Sequence, residues 1–567
     1  MRQIIESIHK GIEKYAQLKA GPSDWSKPPN PKLGDLCIPC FKWSKEQKKS
    51  PAALAKELSE VLQKEEITYV QQLTHAGPYL NIKINSLKLF QHLEDNYKNA
   101  KDFGSSTTGQ DKNLIVEFSS PNVAKEVALH HMRSTAIGNS IAKIAKLHGY
   151  NVTRLNFLGD WGTSFGKYLR AMEIFGDETK LKDEGLSYML KIYVEFNKQA
   201  KDKPELNEEA RSCFQKLENG DPEYRRLFQL FRDISVSEFK KLYSRLGVEF
   251  DYFDGEAMYE NALLETIERV SNKIGTRKSD GALVCDLEGH ELPVLLQKDD
   301  GASLYMTRDL AAIFDRKKRF AFDQAWYVVA TQQKLHFRQL FDLATALDST
   351  LKGKLEHISF GMLSFGDKTM KSREGNVIFL RDVLEEGKKR ALAIIQEKNP
   401  DLANAEEVAE QIGKGALIFS DLAQNRSKDL RFEWQKALAF DGDTAPFIQY
   451  TYARLKSLCK KAQAHCDQLS DKKLEAPMNS ESWHQLLLAL AYFDCDSYRA
   501  LENKDPSQIA TSLINVAKAC NRFYHQHRLL EVDNKEELRI YINSAQMAAS
   551  LLKQGLALLG IEAPEQM

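Results

Sequence analysis

Asn113–Leu158 reads NLIVEFSSPNVAKEVALHHMRSTAIGNSIAKIAKLHGYNVTRLNFL. NLIVEF is an apolar run of strand length, and the SSPN that follows is a turn-forming cluster. In the next stretch Ile137, Ile141 and Ile144 share one helical face, and Gly149 stands where a helix end takes a left-handed residue. NVTRLNFL then reads as a second strand. Strand, helix and strand within about 45 residues make a βαβ unit, from which doubly wound parallel sheets are built.

Downstream, residues 165–260 are helical and highly charged, which predicts an insertion into that sheet. Strand texture returns at GALVCDL and ELPVLLQKDD. A second βαβ set follows, with AWYVVATQQ and HISFGML as strands around the helix HFRQLFDLATAL. Beyond Arg381 almost everything has helical periodicity, as in a bundle. Upstream, Pro51 opens the amphipathic helix PAALAKELSEVLQK. ITYVQQLTHAGPYLNIKIN predicts two strands around Gly77-Pro78, and the polar stretch Lys101 to Lys112 reads as a linker. The expected architecture is multidomain. An α+β N-terminal domain spans 1–110, and an α/β Rossmann-like, doubly wound domain spans 111–385 with its helical insertion near 165–260. An all-α C-terminal bundle spans 386–567.

Composition agrees and sets limits. A chain of 567 residues exceeds one core, so two to four domains are expected. Lys plus Arg equals Asp plus Glu at 79 each, so an RNA-binding face has to come from local clustering of charge. No apolar run approaches a membrane span. The amphipathic start lacks the apolar core of a secretory signal, and a cytoplasmic location is expected. Of the eight cysteines, only Cys37 and Cys40 make a CxxC, with no second pair at zinc spacing. Buried, reduced thiols are the plain reading, a zinc or redox role the other, and no protein-bound metal is expected.

Several segments carry chemistry at predicted strand ends, where parallel sheets bind ligands and helix N-termini face anions. The turn after NLIVEF offers Lys125, His131 and Arg133 to a triphosphate; taken alone it is equally a basic helix start. Asp367 to Asn376 (DKTMKSREGN) is a basic loop suited to pyrophosphate, or a solvated turn. Gly159-Asp160-Trp161-Gly162 reads first as a structural corner. Tyr305 and Asp309 lie four apart on one helical face, and with Glu117 and Gln333 they suit the planar five-donor fork of a guanidinium. In the helical region Arg426, Lys428, Arg431, Arg454 and Lys456 interleave with Phe432, Trp434, Tyr450 and Tyr452. That pattern fits an unpaired RNA loop, or an aromatic core with a basic solvated face.

In this order, VEFSSPNVAK, GDWGTSFG, LYMTRDLAA, YVVATQQKLHF, GALIFSDLAQNR, DTAPFIQYTYAR and LLGIEAPEQM resemble the arginyl-tRNA synthetases over nearly the whole chain. AGPYLNI resembles that family's extra domain, which contacts the tRNA elbow. The resemblance implies ATP with Mg2+, L-arginine and the arginine tRNA as substrates, a helical domain reading the anticodon loop, and a monomer. It places arginine on Glu117, Ser120, Asn122, Tyr305, Asp309 and Gln333. It places ATP on Pro121, Ala128, His130, His131, Gly361, Met362, Met370 and Lys371, with Lys125, His131, Lys371 and Arg373 as the catalytic phosphate contacts. The tRNA falls to Tyr79 and Asn81 at the elbow and to Arg426, Gln449, Tyr450 and Arg454 at the anticodon. Members of the family generally need bound tRNA before they activate arginine, and the same is expected here. Two positions depart from the family's His-x-Gly-His signature: Ala128 replaces its first His and His130 its Gly. The later loop, Met370-Lys371-Ser372-Arg373, departs from Lys-Met-Ser-Lys. No nucleophile or general base stands out, so positioning and charge stabilisation are expected to carry the reaction.

Overall fold

A computed structural model describes residues 1–16, 25–99, 102–298, 305–365, 378–469 and 480–567. Met370, Lys371 and Arg373 lie outside the described residues. Near the N-terminus, Leu36–Pro39 (β1), Val70–Ala76 (β2) and Tyr79–Ile84 (β3) form an antiparallel sheet in the order β1-β3-β2. The helix Pro51–Leu62 starts as the sequence suggests. Ser50 accepts the Ala53 N–H at 3.2 Å, and Pro51 takes the first turn, where its missing donor costs nothing.

The expected βαβ unit is present as Asn113–Glu117 (β4), the helix His131–Leu147 and Asn151–Leu158 (β5). The sheet continues with Tyr252–Gly255 (β6). Three short strands, Arg277–Ser279 (β7), Ala282–Cys285 (β8) and Val294–Gln297 (β9), come before Gln324–Tyr327 (β10) and Leu355–His357 (β11). The central sheet is parallel throughout, in the order β11-β10-β4-β5-β6. β4 is central and buried from Leu114 to Glu117, which explains its continuous apolar run. Its helix is nearly encased from Met132 to Ala145. Gly138 permits the close approach, because a Cβ there would sit 2.2 Å from the Phe118 ring.

The structure corrects several boundaries. The helical insertion runs through helices between Thr163 and Leu246, so the expected range of 165–260 wrongly took in β6. GALVCDL and ELPVLLQ form β8 and β9, which stand with β7 in a separate antiparallel sheet. HISFGML is not one strand. The chain leaves the sheet after His357, and Leu363–Phe365 (β12) pairs instead with Leu430–Phe432 (β13), the one strand among the described residues beyond Arg381. Gly361 makes that departure possible: it donates to the Arg426 carbonyl at 3.0 Å, and a Cβ would lie 2.6 Å from the Lys428 oxygen. The helix Leu380–Lys398 is continuous across residue 385. The stretch read as a linker is packed, since Gln554 bonds both the N–H and the carbonyl of Phe103, and Ser106 bonds His148. No helix among the described residues is long and apolar enough to cross a membrane.

Candidate active site

The turn after β4 holds unusual backbone. Ser119, Ser120 and Ala124 have φ of 73°, 50° and 63°, a region that costs residues with a Cβ roughly 1–3 kcal/mol each. Buried hydrogen bonds hold them there. The Ser119 N–H donates to Ser134 Oγ at 2.8 Å, and Ser119 Oγ bonds the Tyr243 hydroxyl at 2.7 Å. The Ala124 N–H donates to Ser235 Oγ at 3.0 Å, and its carbonyl accepts from the Tyr168 hydroxyl at 2.8 Å. Tyr168, Ser235 and Tyr243 all belong to the helical insertion. The insertion therefore serves as a buttress for the turn, a role its charged sequence did not announce.

Past this turn, Pro121 accepts from the Gly159 N–H at 3.1 Å, and the Gly159 carbonyl accepts from Val123. Asn122 thus lies beside the end of β5, exposed, and Gly159 leaves room for its amide, since a Cβ would meet Asn122 Oδ1 at 2.1 Å. Lys125 is exposed and Ser120 half-buried. Ala128 is buried and pairs antiparallel with Phe379, on the far flank of the basic loop. His130 has helical backbone (φ −65°), so its conformation makes no demand for glycine. Its imidazole lies against His131, ring centres 4.0 Å apart. Burial first, then His130, pushes the His131 pKa down to about 4, and His131 Nδ1 lies 3.2 Å from the Ala128 carbonyl. At neutral pH His131 is therefore an uncharged imidazole.

Arg133 does not serve phosphate. It is 1% exposed, and its Nε donates to Asp421 at 2.9 Å. Its other nitrogens donate to the carbonyls of Met362, Arg426 and Lys428. Gly361 and Met362 lie at this junction. The Met362 N–H is taken by Asp429 at 2.7 Å, while its side chain stays exposed.

The acidic residues converge. Parallel pairing sets Glu117 beside Tyr327 at the carboxyl ends of β4 and β10. Tyr305 and Asp309 lead the helix Tyr305–Phe320 across the same end, and Glu256 follows β6. Asp309 is near enough to raise the pKa of Glu117, Glu256, Tyr305 and Tyr327. For Glu256, burial is the larger cause, and the two together push it up to about 8. Burial also raises Glu117, against the pull of Arg316 at 2.6 Å. Arg316 Nη1 reaches the Tyr327 hydroxyl as well, at 3.3 Å. Asp309 accepts from His336 Nε2 at 2.7 Å, and Gln333 is exposed at the turn after β10. Glu256, Tyr327 and Arg316 went unread as members of this site, while His336 was noted only as part of the strand-to-helix junction with Gln333. Only their positions after strands or on helix faces could have flagged them.

Asp160 and Trp161 are a structural corner, as first read. Asp160 accepts from Arg232 Nε and the Ala257 N–H at 3.0 and 2.9 Å, and Trp161 packs on Phe214 and Phe228. Cys37 and Cys40 are buried thiols without a disulfide.

The residues expected to meet tRNA divide. Tyr79 is exposed and stands edge-on to exposed Phe41 at 6.2 Å, and Tyr450 is exposed beside Phe440. The Arg454 guanidinium stacks on Tyr524 at 3.9 Å. Asn81, by contrast, is buried in β3. Gln449 is wholly buried, with its amide donating to the Glu562 and Gln411 carbonyls. Arg426 is spent on the carbonyls of Lys504, Ser359 and Asn503. These three carry structure rather than a surface for RNA. Phe432, Trp434 and Tyr452 are likewise core.

Three family models match the chain in sequence. The class I (R) tRNA synthetase catalytic domain covers residues 92–434, the DALR anticodon binding domain 448–567, and the arginyl tRNA synthetase N-terminal domain 2–84. The arginine–tRNA ligase of Halothermothrix orenii is 39% identical, and that of Clostridium kluyveri 38%, each over 95% of both chains. The fold is shared with Thermus thermophilus arginyl-tRNA synthetase, at a TM-score of 0.80 and 24% identity over the full length of both chains. It is also shared with the Plasmodium falciparum enzyme, at 0.81 and 23%, covering 100% of this chain and 99% of that one. With a catalytic-domain match over more than half its length, and relatives 38–39% identical over 95% of both chains, the chain belongs to the arginyl-tRNA synthetase family.

Proposed function

We propose that the chain is an arginine–tRNA ligase working in one site by an adenylyl transfer followed by an acyl transfer. The carboxylate of L-arginine attacks the α-phosphorus of ATP, giving arginyl-adenylate and pyrophosphate. The 3′-terminal ribose hydroxyl of the arginine tRNA then attacks the adenylate carbonyl and releases AMP. The observation that carries this reading is the acidic cup: Asp309, Glu117 and Glu256 gathered at strand ends, with Asn122 on the adjoining turn. A cationic side chain with five N–H donors suits such a cup.

Asp309, Tyr305 and Gln333 take the guanidinium side, while Asn122, Ser120 and Glu117 take the end that reacts. Pro121, Ala128, His130, His131, Gly361 and Met362 frame the nucleotide, which brings its own Mg2+. Lys125 and His131, with Met370, Lys371 and Arg373 of the basic loop, meet the phosphates. Because His131 is neutral in the free protein, the triphosphate's negative charge would raise its pKa on binding and turn it into a charged donor. Tyr79 contacts the tRNA elbow from the N-terminal domain, and Tyr450 and Arg454 face the anticodon from the helical C-terminal domain, with catalysis in the parallel-sheet domain between them. The enzyme acts as a cytoplasmic monomer and activates arginine once tRNA is bound.

The test is ATP–pyrophosphate exchange and tRNA charging with each amino acid in turn. Exchange with arginine that depends on arginine tRNA is expected. Folded protein that binds tRNA yet gives no exchange, or that prefers another amino acid, overturns the assignment.

A further inference from the structure

Both carboxylates that this reading gives to arginine are already held by the protein's own side chains. Glu117 Oε2 lies 2.6 Å from Arg316 Nη1, with both side chains nearly sealed, at 7% and 2% exposure. Arg316 is further enclosed by the Phe157 and Tyr327 rings. Asp309 Oδ2 lies 2.7 Å from His336 Nε2, but there the side chains keep 24% and 23% exposure. His336 is in the first turn of the helix Lys334–Leu347, at the mouth of the cup.

The two pairs differ in what it costs to part them. Removing one partner from a buried ion pair shifts an equilibrium by roughly a hundred- to a few-thousand-fold. A half-buried contact between a carboxylate and an imidazole that water still reaches is worth far less, about fivefold. A guanidinium presenting two parallel N–H bonds therefore displaces the single donor of an imidazole from Asp309, and does not displace Arg316 from Glu117. Resting on the function proposed above, we propose that His336 is a self-ligand: it occupies Asp309 in the free enzyme and is exchanged for the substrate guanidinium, while Arg316 stays on Glu117 throughout.

The exchange acts on affinity. Any entrant has to satisfy Asp309 better than one imidazole N–H does. Arginine does so with its bidentate fork. The lysine ammonium, a point charge without that fork, gains much less from the same exchange. The cost of displacing His336 is common to both ligands, so His336 lowers the apparent affinity for either one, and the fork at Asp309 does the discriminating.

The experiment measures arginine and lysine in the full chain with tRNA present, comparing wild type, His336→Ala and Asp309→Asn. For His336→Ala the arginine Kd is expected to fall about two- to fivefold, with the ATP KM and the arginine-to-lysine ratio of kcat/KM both unchanged, since each ligand loses the same competitor. An arginine Kd that stays level or rises in His336→Ala refutes the exchange. Asp309→Asn tests the underlying reading separately, and arginine binding should weaken by about thirtyfold or more. If Asp309→Asn leaves arginine binding intact, the substrate placement itself is wrong and the exchange falls with it.

Discussion

Replacing Arg133 by methionine removes a guanidinium that holds four groups at once: the Asp421 carboxylate and the carbonyls of Met362, Arg426 and Lys428. The pair is sealed, with side-chain exposures of 1% and 2%. Lost hydrogen bonds are the smaller part of the cost. The larger part is a carboxylate left in the interior without its counter-charge, and removing one partner of such a pair costs about 3–5 kcal/mol. Burial already raises the Asp421 pKa against the pull of Arg133, and loss of the arginine raises it further. A carboxyl group with a folded pKa above its unfolded one loses stability as pH rises and regains it as pH falls. The Arg133→Met penalty should therefore be largest near neutrality and shrink in acid. Urea unfolding at pH 7 and pH 5 measures this, with Arg133→Met/Asp421→Leu as the companion. The double variant removes the stranded charge and should recover most of the loss, since apolar replacement of a buried pair is often neutral. A single variant that loses less than about 1 kcal/mol, or a double variant no better than the single, refutes the reasoning.

Three other outcomes follow from the site. Gly159→Ala should displace the Asn122 amide, whose Oδ1 would lie 2.1 Å from the new Cβ; because a side-chain tip moves easily, arginine KM should rise severalfold with little change in Tm. His131, held neutral with its pKa down at about 4, should contribute up to about 3 kcal/mol of stability that is present above pH 6.5 and lost as pH falls toward 4. His131→Gln should flatten the stability profile across that window in pH-dependent unfolding. Tyr243→Phe removes the hydroxyl that Ser119 Oγ and Asn156 share; it should cost about 1–2 kcal/mol and raise the ATP KM, read by unfolding and steady-state kinetics.

How much the sequence disclosed depended on whether a feature was local. The βαβ unit was legible because a buried parallel strand needs an unbroken apolar run, and its helix repeats isoleucine at helical spacing. β6 was not, since its four residues, Tyr252–Gly255, carry no periodicity of their own and owe their place to pairing with β5. HISFGML reads as one strand locally, and only a distant partner, the loop around Arg426 and Lys428, draws it out of the sheet.

The same holds in the site. Glu117, Asn122, Tyr305 and Asp309 were singled out through matching motifs, and the structure brings Glu117, Tyr305 and Asp309 near one another. Arg316 and Glu256 were invisible: the first stood in a basic helix end and the second in a charged stretch, and their meaning comes from burial. Arg133, Arg426 and Gln449 show the converse. A charge or an amide in a promising motif looks available for a ligand until its buried partners are seen.

A crystal structure with arginine and ATP bound, solved with the arginine tRNA, is the most direct measurement of the central claim. The guanidinium should lie about 3 Å from Asp309, and the arginine carboxylate should point toward the α-phosphate beside the Ser119–Ala124 turn. Arginine bound with its side chain away from Asp309, or ATP seated far from that turn, would contradict the account.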